Sequence, residues 1–257
     1  MRIVCGLMLL LLAPSVLALE KAEDIRACVR QNYPARSSTQ AFVLASIGRD
    51  GTERSLQATA YWKRGSDGRA KVMLQVDKPD DLRGSSYLLL EKPTRDDLFM
   101  YLPAVNRVKR IQGSQMSDSL WGTDFSYEDV KQLQGIFDAG TLTREADADV
   151  AGKKLYVLAF TPAKVEESAY KRIVSRIDPA TCVALQTDFF QTGDTPRKRL
   201  TIDPKEVRPL GTRWMPHLYE MQDLHNQTRT VLRIDKVSAD VELPERLFNP
   251  QTFYLGK

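Results

Sequence analysis

Short stretches of alternating apolar and polar residues recur along this chain, each closed by a turn signal. That pattern constrains the fold more than any other feature. In the stretch 53–64, Ala58, Ala60 and Trp62 point one way, and Gln57, Thr59, Tyr61 and Lys63 the other. Further on, Val72, Leu74 and Val76 alternate with Met73, Gln75 and Asp77. Arg49-Asp50-Gly51, Gly65-Ser66-Asp67-Gly68, Ala151-Gly152, Asp178-Pro179, Gly193-Asp194, Pro209-Leu210-Gly211 and His225-Asn226 punctuate the series. Strands that follow one another through tight turns predict an antiparallel meander. No helical patterns alternate with them, which argues against a parallel βαβ sheet. The stretches 198–207 and 212–221 each read as one continuous strand.

About eleven long strands in one sheet must curl. Some strands are apolar on both faces: Leu155, Val157 and Ala159 on one side, Tyr156, Leu158 and Phe160 on the other. A concave apolar side needs a cover, and two segments offer one. Residues 19–32 read as a helix with Ile25, Cys28 and Val29 on one face, ended by Pro34. Residues 113–134 are the second candidate. Within them Ser126 and Asp129 stand three apart, as a capping pair does, and Tyr127, Val130, Leu133 and Gln134 recur at helical spacing. The expected class is mainly β (α+β), in one domain over residues 19–257.

The first eighteen residues read as a leader. Arg2 is followed by an apolar run, 3–12, which is about half the ~20 residues a membrane-spanning helix needs. Pro14 breaks the run, and Val16-Leu17-Ala18 predicts cleavage after Ala18. An uncleaved anchor is the weaker reading. Cys5 lies inside the apolar run, so Cys28 and Cys182 remain as an even pair in an exported chain. They suggest one disulfide, with two separate buried thiols as the alternative. Removal of Arg2 leaves a net charge of about +3, too slight to argue for nucleic acid.

Catalytic chemistry is poorly supplied. His217 and His225 are eight residues apart, without a Cys or Glu at metal-ligand spacing. No GxSxG, HExxH or CxxC motif occurs. Asp118, Asp124, Glu128 and Asp129 cluster, but they match no calcium loop. Helix capping and solvation explain them more simply. No enzyme, metal or cofactor is expected.

The remaining feature is the stretch 97–130, DLFMYLPAVNRVKRIQGSQMSDSLWGTDFSYEDV. Its polar loop holds Met116, Leu120, Trp121, Phe125 and Tyr127. These residues either plug a hole or line one. Gly113 and Gly122 could serve as hinges for a lid, and Met116 adapts to varied shapes.

Here the sequence resembles a known group. PDDLRGSSYLLL (79–90), DDLFMYLPAVNRVKRIQGSQMSDSLWGTDFSYEDV (96–130) and VLRIDKVSADVELPERLFNP (231–250) resemble the outer-membrane lipoprotein-sorting protein family, the LolA-like periplasmic proteins. They are closer to its uncharacterised branch associated with exporters of the resistance-nodulation-division type. The likeness covers most of the chain, more firmly from Trp62 onward. It implies an unclosed antiparallel β-barrel of about eleven strands with covering helices, LolA/LolB-like, around a cavity for acyl chains.

The expected function is therefore a periplasmic carrier that moves a lipid or lipoprotein toward the outer membrane. An accessory module docking on an inner-membrane exporter without cargo is the alternative, and a hydrolase ranks last. The expected cavity or lid residues are Trp62, Leu74, Leu89, Phe99, Tyr101, Met116, Leu120, Trp121, Phe125 and Tyr127.

Overall fold

The computed structural model describes residues 19–136, 139–150, 152–164 and 168–256. The expected leader, 1–18, lies outside the described residues. Helix α1 (Ala22–Gln31) is followed by β1 (Ser37–Ile47), β2 (Glu53–Arg64), β3 (Ala70–Lys78), β4 (Ser86–Leu90), β5 (Asp97–Leu102) and β6 (Arg107–Ile111). A connection containing α2 (Tyr127–Leu133) leads to β7 (Gly140–Val150), β8 (Lys153–Pro162), β9 (Arg172–Ile177), β10 (Ala184–Phe190) and β11 (Lys198–Ile202). The chain ends with β12 (Val207–Leu210), β13 (Arg213–Pro216), β14 (Leu218–Asp223), β15 (Thr228–Ala239) and two 3-10 turns.

Thirteen strands form one antiparallel sheet in the order β6-β5-β4-β3-β2-β1-β15-β14-β11-β10-β9-β8-β7. This corrects the expected count of about eleven. The first strand pairs with the last, so the sheet has two halves joined at β1 and β15. Its edges, β6 and β7, are consecutive in the chain, and the sheet is open rather than closed into a barrel. The connection between these edges packs into one apolar cluster with strands of both halves.

Two expected strands are interrupted. The stretch 198–207 breaks where Asp203 caps a turn over Pro204–Glu206, its carboxylate accepting from the Lys205 amide. The stretch 212–221 breaks at Pro216, which has no N–H, and at His217, whose amide donates to the Glu206 carbonyl. The freed pieces pair with each other, and β12–β13 becomes a separate two-stranded sheet. Elsewhere the turn chemistry holds. Gly51 takes φ +82° between β1 and β2, and Asp50 accepts from the Thr52 amide, which holds its carboxyl below the usual carboxylate range.

Both faces of the first half are apolar. On the concave face of β1–β5, Phe42, Leu44, Ala58, Trp62, Val72, Leu74, Tyr87 and Leu89 are buried. On the convex face, Tyr61, Met73, Leu88 and Leu90 are covered by the C-terminal residues Leu243, Leu247, Phe248 and Phe253. Cys28 and Cys182 are bonded, with Cα atoms 5.7 Å apart, which ties α1 to the β9–β10 turn. By chain entropy, a link across this separation contributes a few kcal/mol, up to about 5.

Candidate functional site

The segment between the sheet edges is a plug. Met116, Leu120, Phe125 and Tyr127 are buried against the concave face of the first half, and the Tyr127 ring stacks 5.5 Å from Tyr87. Burial pushes the Tyr127 hydroxyl up to about 12. Trp121 (φ +53°) and Gly122 (φ +76°) make the sharp turn that brings Phe125 inward, and Trp121 itself is half-buried.

The acids beside these residues pin the plug in place. Ser126 and Asp129 form the expected capping box, so α2 starts where the sequence predicts. Asp129 also accepts from the Tyr170 hydroxyl at 2.7 Å and pairs with Lys198 at 2.9 Å. Asp124 accepts from the hydroxyls of Thr228 and Thr230, on β15. Glu128 accepts from the Ser168 hydroxyl and the Ala169 amide. Lys131 pairs with Asp96 at 2.8 Å, and both side chains are nearly fully buried. The seven-residue α2 is thus tied to the β4–β5 turn, to β11 and to the chain before β9. No group of three potential metal ligands occurs among the described residues.

A cavity of about 240 Å³ lies beside the plug, on the concave face of the second half. Its apolar wall comes from Leu158 and Phe160 on β8, Ile173 and Ile177 on β9, Phe189 on β10, Leu200 on β11, Met221 on β14 and Ile234 on β15. Four pieces roof it: Val29 of α1, the Asn32-Tyr33-Pro34 link, the end of α2 with Leu133 and Gln134, and the β12–β13 hairpin.

The Cys28–Cys182 bond anchors the α1 end of the roof, and hydrogen bonds, mostly to backbone groups, hold the rest. Asn32 donates to the Thr181 carbonyl at 2.8 Å and accepts from the Trp214 amide at 2.9 Å. The Arg213 guanidinium donates to the Tyr33 carbonyl at 3.2 Å, and the Tyr33 hydroxyl to the Gln132 carbonyl at 3.3 Å. Burial pushes the Tyr33 hydroxyl up to about 12 and raises that of Tyr219 as well.

The expected site residues divide three ways. Trp62, Leu74 and Leu89 join Met116, Leu120, Phe125 and Tyr127 in the filled core of the first half, with Trp121 packed at its margin. Within that core, Leu74, Leu120 and Phe125 border a void of only about 40 Å³. Phe99 and Tyr101 face the other way, because they alternate with Leu98 and Met100 along β5. They pack on the convex face, where Tyr101 stacks 4.2 Å from Tyr254. None of the ten lines the larger cavity, although Trp62 touches its rim by donating to the Gln134 carbonyl at 3.4 Å. The cavity wall is made by residues that the sequence reading treated as ordinary strand. Alternation over β8–β10 marked their face, but nothing in it marked the space left in front of them.

Comparisons with known proteins agree with this architecture. A family model described as "-like: Uncharacterized protein" matches residues 68–254. The structure is similar to a DUF1329 family protein from Desulfovibrio piger, at 25% identity and a TM-score of 0.81 over 89% of this chain and 95% of that one. It is similar to a "putative outer membrane lipoprotein-sorting protein domain" from Vibrio parahaemolyticus, at 21% identity and 0.79 over 91% and 100% of the two chains. A LolA superfamily protein from Nitrosomonas europaea matches at 15% identity and 0.73 over 90% and 98%. No curated protein matches the chain. The fold is therefore the open, mainly β sheet with covering helices shared with LolA-superfamily structures.

Proposed function

The chain belongs to the family whose model spans residues 68–254, and we propose that it is a periplasmic carrier that shelters an acyl chain of a lipid or lipoprotein. The observation that carries this reading is the apolar cavity of about 240 Å³ under a thin roof. An apolar cavity of roughly 150 Å³ takes up benzene, and pockets for drug-sized ligands begin at roughly 300 Å³. The volume thus suits a stretch of one chain better than several chains side by side. Each sheltered CH₂ contributes about 0.8 kcal/mol, enough in sum to draw a chain out of water.

In this reading residues 19–257 are the carrier domain, exported behind a leader cleaved after Ala18 and moving cargo toward the outer membrane. The Cys28–Cys182 bond suits an oxidising compartment. The fold shared with a domain named for lipoprotein sorting supports the same assignment. The wall of the second half binds, and Met116, Leu120, Trp121, Phe125 and Tyr127 close off the other end. An inner-membrane exporter is the class of partner we assign to loading.

The test narrows the cavity. Ile173→Phe, which adds bulk to its wall, is expected to weaken binding of a fluorescent acyl probe severalfold, while Trp121→Ala leaves binding within twofold. Probe binding indifferent to Ile173→Phe, or absent from the wild-type protein, would sink the carrier reading.

A further inference from the structure

The cavity is not apolar throughout. Along β1 the concave positions read Ser38, Gln40, Phe42, Leu44, so its face turns from polar to apolar over four residues. The polar end lies under the roof. Ser38 stands opposite Trp62 on β2 and Ala239 on β15, and Trp62 donates to the Gln134 carbonyl. The link just before β1 brings in Tyr33, whose carbonyl accepts from Arg213. Ser38, Gln40, Gln134 and Arg213 all line the cavity.

Two of these groups lack the partner their chemistry calls for. Ser38 is 2% exposed, and its buried hydroxyl has no hydrogen-bond partner. A buried hydroxyl left unpaired costs free energy that a ligand acceptor would recover. Arg213 carries its charge into the cavity wall with no carboxylate in ion-pair range among the described residues, and its one hydrogen bond goes to a neutral carbonyl. A guanidinium so placed is suited to a carboxylate or phosphate.

We propose that the cavity takes a single-chain amphiphile with an anionic, oxygen-bearing head. The Ser38 hydroxyl donates to a head oxygen, Arg213 pairs with its charge, and the chain runs over Ile173, Phe189 and Ile234. This rests on the carrier reading and adds a head-group preference to it. The carboxylate of a fatty acid and the phosphate of a lysophospholipid share the required chemistry.

Displacement of a fluorescent acyl probe, with native mass spectrometry to confirm occupancy, tests it using palmitate, methyl palmitate and lysophosphatidylglycerol below their aggregation thresholds. The wild-type protein is expected to prefer palmitate over its methyl ester by on the order of tenfold. Arg213→Gln should lower affinity for palmitate far more than for the ester, with Arg213→Lys keeping part of the preference, whereas Ser38→Ala should weaken acid and ester alike, since the ester keeps a carbonyl acceptor. Stronger binding of the lysophospholipid than of palmitate would assign the head to phosphate. Equal binding of acid and ester by the wild type, a preference untouched by Arg213→Gln, or affinities untouched by Ser38→Ala overturns the head-group assignment while the carrier stands. Failure of all three amphiphiles to bind removes both.

Discussion

The two halves of the sheet are built alike and filled differently. Each is antiparallel, twisted around the same concave side and lined there by Leu, Ile, Val, Phe and Tyr. In front of β1–β5 stands a plug of large side chains, locked by buried ion pairs and leaving a void of about 40 Å³. In front of β8–β11, β14 and β15 stands a roof of separate pieces over about 240 Å³. The difference lies in what covers the strands, not in the strands. Charge makes a plug rigid, because a buried ion pair tolerates no partial opening. The disulfide fixes the α1 end of the roof, but the two-stranded hairpin, marginal by itself, is held by hydrogen bonds with no buried ion pair among the described residues, and it is the part that can yield.

The largest expected effect comes from breaking the lock. Asp129→Ala removes the acceptor for Tyr170, the partner of Lys198 and half of the capping box in one step. It leaves Lys198, whose side chain is 12% exposed, without its carboxylate. A loss of about 3–5 kcal/mol is expected, measured by urea unfolding. A loss below about 1 kcal/mol would mean that the plug is as loose as the roof, and the contrast between halves would collapse.

That lock also shows where sequence reasoning reaches and where it stops. The Ser126–Asp129 cap was legible because both partners belong to one local motif. The meander was legible for a similar reason: alternation and turn residues such as Asp50-Gly51 act within a few positions. The Cys28–Cys182 link was legible only as an even count once Cys5 is assigned to the expected leader. Lys131–Asp96 and Lys198–Asp129 were not legible, since ion pairs between distant elements leave no spacing to read. The hairpin β12–β13 was hidden because Arg208 to Pro216 carries strand-like residues that simply pair with each other instead of joining the large sheet. The cavity was least legible of all. Phe189 and Leu89 sit in similar strand patterns, yet one faces space and the other a plug, a distinction made by segments far away in the chain.

Adding volume to each half sharpens the comparison at a smaller scale. Ala58 is 1% exposed and faces the filled side between Phe42 and Val76. Ala58→Leu should cost about 1–3 kcal/mol through overpacking. Ile173→Phe adds bulk on the cavity wall, where space already exists, and should cost less than about 1 kcal/mol while narrowing the room for a chain. Thermal or urea unfolding of both variants checks the pair. Equal costs would mean that the second half is packed as tightly as the first.

The smallest effect is confined to alkaline pH. Tyr127, inside the plug, is pushed by burial from an ordinary value of 10.0 up to about 12. Between these values the unfolded chain releases the phenolic proton and the folded chain keeps it, so unfolding becomes easier as pH rises. Stability from this group is complete below pH 10 and drains away as pH climbs toward 12. Tyr127→Phe removes the proton and should shift the alkaline unfolding midpoint upward, although it also gives up the hydroxyl's contact with Met100 and so lowers stability slightly at pH 7. Tyr33, in the roof, is also pushed to about 12 and supplies the matching probe. If the roof yields before the plug, Tyr33 ionises through local opening at a pH where Tyr127 remains protonated. Tyrosinate absorbance of Tyr33→Phe and Tyr127→Phe, followed against pH, separates the two. Simultaneous ionisation would mean that the roof opens no earlier than the plug.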